Sequence, residues 1–171
     1  FPIGSFIFAE AADGKDYLMD GQQRFNTISL GFKDPEEDGN PSCILWIDLE
    51  PKGKTSRKYW IKATTISHPW GYANNDDCSV LSAAQRREAL SLYGIEGNIY
   101  QNPISLYDAW PSEAGFPVPL SCILNSDVED ENAFEKSLEA NLRNARNKFK
   151  KLQSLGNEDI KQLTKQISSS Y

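Results

Sequence analysis

The feature that most constrains the fold is residues 18–27 (LMDGQQRFNT), because it joins a strand pattern directly to a helix pattern. Residues 16–19 have the apolar character of a short strand. Phe25, Ile28 and Phe32 then recur at spacings of three and four, which is typical of one face of a helix. The sequence therefore predicts a strand that turns abruptly into a helix ending near Phe32.

The junction itself has the character of an anion-binding turn. Asp20 stands where an N-cap belongs, with Gln23 at the spacing of a capping box. Gly21 has no side chain, so a ligand can approach the backbone there. The free N–H groups of a first helical turn favour phosphate. Arg24 can lean back over that turn and hold a phosphate through two hydrogen bonds.

The alternative is purely structural. Asp20 would cap the helix and pair with Arg24 at i,i+4, a contact worth about 0.3–0.5 kcal/mol. Spacing alone leaves both interpretations open.

The motif Asp20-Gly21-Gln22-Gln23-Arg24 follows residues 2–5 (PIGS), a strand, a turn and a second strand. This arrangement resembles the N-terminal domain family of GmrSD-type modification-dependent restriction enzymes. Residues 68–72 (HPWGY) and 81–87 (LSAAQRR) resemble a subgroup of such proteins. The family is similar to the wider ParB/sulfiredoxin-like superfamily of nucleotide-binding folds.

The resemblance implies an α+β fold, with a small mixed sheet of the ParB/sulfiredoxin-like type, flanking helices and a C-terminal helical extension. It also implies binding and hydrolysis of a nucleoside triphosphate such as GTP, with Mg²⁺ accompanying the substrate, in defence against foreign DNA. Arg24 would neutralise charge on the phosphates and Asp20 would orient Arg24 or a metal-bound water, so both are predicted catalytic residues. No protein residue is assigned as a metal ligand. The predicted nucleotide-binding residues are Asp20, Gly21, Gln22, Gln23, Arg24, Thr27 and His68.

The chain departs from the family in two ways. Family members usually carry an upstream strand with its own Gln-Arg pair, and this chain begins at Phe1. Many also carry a distant nuclease domain with several histidines, whereas His68 is the only histidine here. We therefore expect a fragment of a longer protein, whose DNA cleavage would come from another domain.

Composition narrows the function classes. Hydrophobic residues make up 39% of the 171 residues, which argues against disorder. A net charge of −6 is wrong for a domain that binds nucleic acid over its whole surface. Three dispersed cysteines without a CxxC pair suit a reducing cytoplasm, and no apolar run predicts a membrane span. We expect a cytoplasmic protein without a membrane partner, and leave open DNA contact through the parent protein and homo-oligomerisation.

Residues 1–125 are predicted to form the motif domain and residues 126–171 the helical extension. In the first part we expect a hairpin turning at Asp13 and Gly14, then strands at 43–49 and 57–63 pairing as a second hairpin, and a helix over 82–93. Two helices are expected after residue 129, the second capped by Asn157. The apolar stripe of the first long helix is Phe134, Leu138, Leu142, Ala145, Phe149 and Leu152.

Three further sites have competing interpretations. Asp48 and Glu50 could contact Mg²⁺, but a solvated strand end is favoured. His68 with the aromatics of residues 70–72 could wall a nucleotide pocket; alternatively, Trp70 and Tyr72 plug the core and His68 forms a hydrogen bond with the backbone. The basic half of the long helix, residues 143–151, could touch DNA, but dipole-matched surface charge is favoured.

Two function classes remain: a nucleotide-hydrolysing domain, and a non-catalytic module that senses a nucleotide or modified DNA and regulates a separate nuclease. Sulfiredoxin-like redox repair is discounted because the turn carries Gln22 and Gln23 rather than cysteine.

Overall fold

The computed structural model describes residues 5–33, 43–51, 58–75, 77–92 and 105–169. The PIGS segment up to residue 4 lies outside these ranges. So do the segments where glycine and proline residues predict a loop (34–42), a turn (52–54) and a helix stop (Gly94), and most of the irregular stretch expected after residue 94. The regular elements are β1 (Ile7–Glu10), β2 (Asp16–Asp20), α1 (Gln22–Phe32), β3 (Cys43–Asp48), β4 (Trp60–Thr65), α2 (Ala83–Leu92), β5 (Pro117–Pro119), α3 (Leu120–Leu124), α4 (Glu131–Lys148) and α5 (Asn157–Ser168).

The first unit is the predicted hairpin followed by α1. β1 and β2 pair antiparallel, and the turn between them places Gly14 in the left-handed region at φ +77°. The Gly14 N–H donates to the carbonyl of Ala11 at 3.0 Å and closes the turn. The predicted helix follows and ends at Phe32, as expected. No residue of β1 or β2 is buried, so this hairpin stands on the surface.

The second unit is a three-stranded sheet in the order β4–β3–β5, with both pairings antiparallel. The predicted pairing of β3 with β4 is confirmed, although β4 begins later than expected, at Trp60. β5 was not predicted, because a three-residue strand with two prolines shows no period. The α+β class is confirmed, and all described strands pair antiparallel in two separate sheets.

The core lies between the central sheet and the C-terminal helices. Trp46 of β3 is fully buried, with its ring centroid 5.1 Å from that of Phe149 and 5.9 Å from that of Trp110. The apolar stripe predicted for the long helix is buried along its whole length. Helices after residue 126 therefore share one core with the sheet, and the predicted boundary there does not separate two cores.

Two details of the C-terminal helices differ from expectation. α4 ends at Lys148, and residues 150–154 continue as a 3₁₀ turn rather than as the same helix. Asn157 does not cap α5. Gly156 is the N-cap, and its N–H donates to the Asp159 carboxylate at 2.7 Å.

The basic side of α4 is partly used within the protein. Arg143 pairs with Glu139, and both Arg143 and Arg146 donate to the Asn157 side-chain oxygen, at 2.8 and 3.0 Å. These contacts favour the structural interpretation of the two arginines. Among the described helices, none has the length and apolarity that a bilayer crossing requires.

Candidate functional site

Gly21 makes the sharp turn from β2 into α1. It is the helix N-cap and lies in the left-handed region at φ +90°. A Cβ at this position would lie 2.8 Å from the Phe6 ring and 3.2 Å from Nη2 of Arg24. Glycine is therefore required both by the backbone conformation and by the close approach of its neighbours.

The prediction that Asp20 caps the helix is wrong. Asp20 is the last residue of β2, and no side chain caps α1. The physical reason is that the left-handed turn places Gly21 between the strand and the helix, which displaces Asp20 from the capping position. Its carboxylate lies 3.6 Å from Arg24 Nη2 instead, so the pairing part of the structural alternative is confirmed.

The start of α1 is open. The helical hydrogen-bond ladder begins with the Phe25 N–H donating to the Gly21 carbonyl at 2.8 Å. The three preceding amides, of residues 22–24, are the donors that a helix start leaves over. These residues also line a surface depression of about 330 Å³, together with Met19, Asp20 and Gly21. This volume is at the lower end for small-ligand sites.

Arg24 is anchored beside the depression without being buried. Its Nη2 donates to the Ser5 carbonyl at 2.9 Å, and its guanidinium carbon lies 5.9 Å from the centroid of the Phe6 ring. The side chain remains 45% exposed, and that of Asp20 is 66% exposed. Arg24 thus combines a fixed position with donor groups that a ligand can still reach.

The other motif side chains contribute less than expected. Gln22 Nε2 donates to the Leu18 carbonyl at 3.3 Å and so bridges the turn. Thr27 Oγ1 donates to the Gln23 carbonyl at 2.8 Å, which directs it to its own helix, and Thr27 does not line the depression. Gln23 lines the depression with an exposed side chain.

His68 lies in a different local environment. Its ring stacks on Tyr72 with the centroids 4.9 Å apart, and its Nδ1 is 3.1 Å from the Ser67 hydroxyl. His68 is absent from the lining of the motif depression. Neighbouring Trp70 is buried in a small second core beneath α2, as the core-plug interpretation expects.

The carboxylate of Asp48 has a structural role. Asp48 is fully buried, which corrects the expectation of a solvated strand end. It accepts hydrogen bonds from the backbone N–H groups of Gly115 at 3.1 Å and Phe116 at 2.9 Å. Across the described ranges, no group of three or more metal-ligating side chains occurs.

The sequence did not predict a half-buried polar junction between Glu113, Asn74 and Gln85. The Glu113 carboxylate accepts from the Asn74 backbone N–H and from Gln85 Nε2, and its backbone carbonyl accepts from Asn74 Nδ2 at 2.7 Å. Lys62 is only 8% exposed, and burial lowers its pKa, against the opposing electrostatic effect of nearby Asp48, Cys78 and Glu113. The hydrogen bonds of Glu113 join residues about thirty to forty positions apart in the sequence, so no local pattern predicts them.

The fold and the site together define an α+β domain. Its helix α1 begins at a glycine, beside an arginine, and has no side-chain cap among the described residues. No protein-family model matches the chain, and neither the curated proteins nor the solved structures contain a significantly similar one.

Proposed function

We propose that this chain is a nucleotide-binding, NTP-hydrolysing domain of a modification-dependent restriction or phage-defence protein. The observation that carries the proposal is the uncapped start of α1, which opens into a depression beside Arg24. Unpaired N–H groups, the positive end of the helix dipole and a guanidinium are the three features that favour a phosphate chain at one place.

The present partners of Arg24 leave it available to a ligand. Its contact with Asp20 is long, at 3.6 Å, and both side chains are substantially exposed. Exposed ion pairs of this kind contribute about 0–1 kcal/mol. A charge-assisted, two-point contact with phosphate is stronger, so a bound nucleotide would replace Asp20 as the main partner at little cost. The contact with the Ser5 carbonyl would keep the guanidinium in position.

Asp20 is the residue that fits the accompanying Mg²⁺. Mg²⁺ bound with nucleotides is commonly held by one or two carboxylates and by phosphate oxygens, with water completing the shell. Asp20 supplies one exposed carboxylate at the rim of the depression. The cation would neutralise charge on the phosphates, while the amides of residues 22–24 would orient them.

The defence role rests on the motif. The DGQQR sequence sits at the end of a β-hairpin and the beginning of a helix, which is the local context that the resemblance to GmrSD-type domains requires. That agreement supports the proposed ParB/sulfiredoxin-like type. A cytoplasmic location is proposed from the three dispersed cysteines without a CxxC pair. Contact with DNA is assigned to the parent protein, in keeping with the net charge of −6.

A non-catalytic nucleotide sensor is the second candidate. Among the described residues, Asp20 is the one carboxylate that lines the depression, and it already pairs with Arg24. Within the same part of the chain, no second acidic side chain or histidine lines the depression to activate a water. This composition favours binding without turnover, with the bound state transmitted to a nuclease partner.

One experiment tests both candidates. The purified chain is titrated with GTP, ATP, CTP and UTP in the presence of Mg²⁺, and phosphate release is followed with and without DNA. Saturable binding with phosphate release supports the hydrolase, and saturable binding without release supports the sensor. Failure of all four nucleotides to bind would overturn both.

A further inference from the structure

The apolar side of α1 is exposed along its whole length. The side chains of Phe25, Ile28 and Phe32, which we call the α1 stripe, are 48%, 39% and 45% exposed. In a monomeric protein, the apolar stripe of an amphipathic helix normally faces the core. Here Gly31, the one buried residue of the helix, makes the close contact with the body, where a Cβ would lie 2.8 Å from Leu124.

Further exposed apolar side chains lie near the helix: Met19 lines the depression at its start, Leu124 lies beside Gly31, and Phe8 is two residues after Phe6, whose ring meets that of Phe25. Phe8 and Met19 of the hairpin are 54% and 66% exposed, and Leu124 of α3 is 37% exposed. With roughly 200 Å² for each fully exposed large side chain, these three and the α1 stripe present on the order of 600 Å². A homodimer interface removes about 800 Å² per partner, of which about two-thirds is apolar, or about 500 Å². The surface is large enough for that purpose.

The charges around the α1 stripe indicate which kind of partner can cover it. Arg24 is the only charged side chain in the eleven residues of α1. Residues 5–33 hold three basic and four acidic side chains, one net negative charge, so a nucleic acid or an anionic membrane finds no basic counterpart there. The rest of the chain carries the other five net negative charges. Two copies that meet through this surface would keep their like charges apart.

We propose that the α1 stripe, with Phe8, Met19 and Leu124 around it, is a homodimer interface that fits a second copy of this chain. A two-fold contact brings the same patch against itself, and an apolar, nearly uncharged patch is self-complementary in that arrangement. Because Met19 also lines the motif depression, the dimer is measured without nucleotide, so that a failure to dimerise is distinguished from a failure to bind nucleotide.

The test is sedimentation velocity of the purified chain from low to high micromolar concentration. We expect a concentration-dependent dimer. Ile28→Glu should weaken dimerisation at least tenfold, because the two-fold contact buries a charge on each side and sets the two charges near each other. Val128→Glu is the matched control, since Val128 is 66% exposed outside the surface, and it should dimerise like the wild type.

Thermal melting of each variant separates loss of the interface from loss of the fold. If Ile28→Glu does not fold, Phe8→Glu, in the exposed hairpin, replaces it with the same expected result. A wild-type chain that stays monomeric at every concentration would overturn the proposal. So would equal dissociation by Val128→Glu, or a monomer that forms a complex only when a DNA oligonucleotide is added.

Discussion

Gly21 and Gly14 share a backbone conformation but differ in their surroundings. Both have positive φ, at +90° and +77°. A Cβ at Gly14 would meet nothing within 4 Å, whereas a Cβ at Gly21 would press on Phe6 and Arg24. The pair therefore separates the cost of the backbone conformation from the cost of crowding at the site.

We predict that Gly14→Ala lowers the free energy of unfolding by about 1 kcal/mol, through backbone strain alone. Gly21→Ala should cost about 2–3 kcal/mol, because the methyl group must also displace the Phe6 ring. Urea unfolding of both variants measures the difference. Equal losses would show that the turn at the start of α1 is less crowded than described.

Lys62 is a buried lysine without a close ionic partner among the described residues. Its Nζ lies 4.0 Å from the centroid of the Trp60 ring, and burial is the main cause of its lowered pKa. A lowered lysine pKa means that the protonated folded state is disfavoured, so this residue destabilises the fold at neutral pH. The penalty decreases as pH rises through the folded pKa toward the ordinary value of about 10.4.

We predict that Lys62→Met is more stable than the wild type at pH 7, and that the gap closes as the pH approaches 10. Chemical unfolding of both proteins at several pH values measures this difference in stability. Lys161→Met, at an exposed lysine, is the control and should show no such closing gap. A Lys62→Met variant that is less stable than the wild type at pH 7 would contradict this account.

At the scale of elements, Asp48 fixes the end of β3 to the segment that enters β5. Its buried carboxylate accepts from the N–H groups of Glu50, Gly115 and Phe116. A carboxylate that accepts several backbone N–H groups holds such a junction strongly, because every contact is charge-assisted.

Asp48→Asn should lower the free energy of unfolding by about 2–3 kcal/mol, because the neutral amide removes the charge from three charge-assisted hydrogen bonds and turns a donor, Nδ2, toward the Gly115 N–H. Asp16→Asn, at an exposed carboxylate in β2, should change it by less than about 0.5 kcal/mol. Thermal or urea unfolding compares the two. Similar small effects would mean that Asp48 is not a structural anchor.

The elements that the sequence predicts best are those with a local signal. The hairpin, α1, the β3–β4 pairing and the buried stripe of α4 follow from period and from turn residues. The capping prediction for Asp20 failed because sequence spacing does not specify whether Gly21 turns before or after the helix start. The end of α4 was predicted too late for a similar reason, because the apolar stripe keeps its spacing through the 3₁₀ turn that follows the helix.

Contacts between distant segments were beyond the sequence analysis. The junction of Glu113 with Asn74 and Gln85 depends on tertiary placement that no short motif encodes. The same dependence on tertiary placement explains why the surroundings of His68 were not predicted. Its resemblance to a family position suggested a nucleotide contact, whereas its described neighbours are Ser67 and Tyr72. Its role in nucleotide binding stays a prediction.

At the scale of the whole molecule, burial is distributed unevenly. β1 and β2 contain no buried residue, whereas α4 and α5 contribute Leu138 and Ile160, both fully buried, to the core. We predict that hydrogen exchange at low protein concentration is at least tenfold faster in β1 and β2 than in α4 and α5. Equal protection would show that the hairpin unfolds only together with the core.

The most direct test of the proposed site is calorimetric nucleotide titration of wild type, Arg24→Ala and Arg87→Ala. Arg87 is exposed, and within the described part of the chain it donates to Ala83 of its own helix, so its loss should leave nucleotide affinity unchanged. Arg24→Ala removes a charged two-point phosphate contact, and its Kd should rise about 10- to 100-fold with an unchanged melting temperature. Wild-type affinity in a folded Arg24→Ala variant would contradict the account.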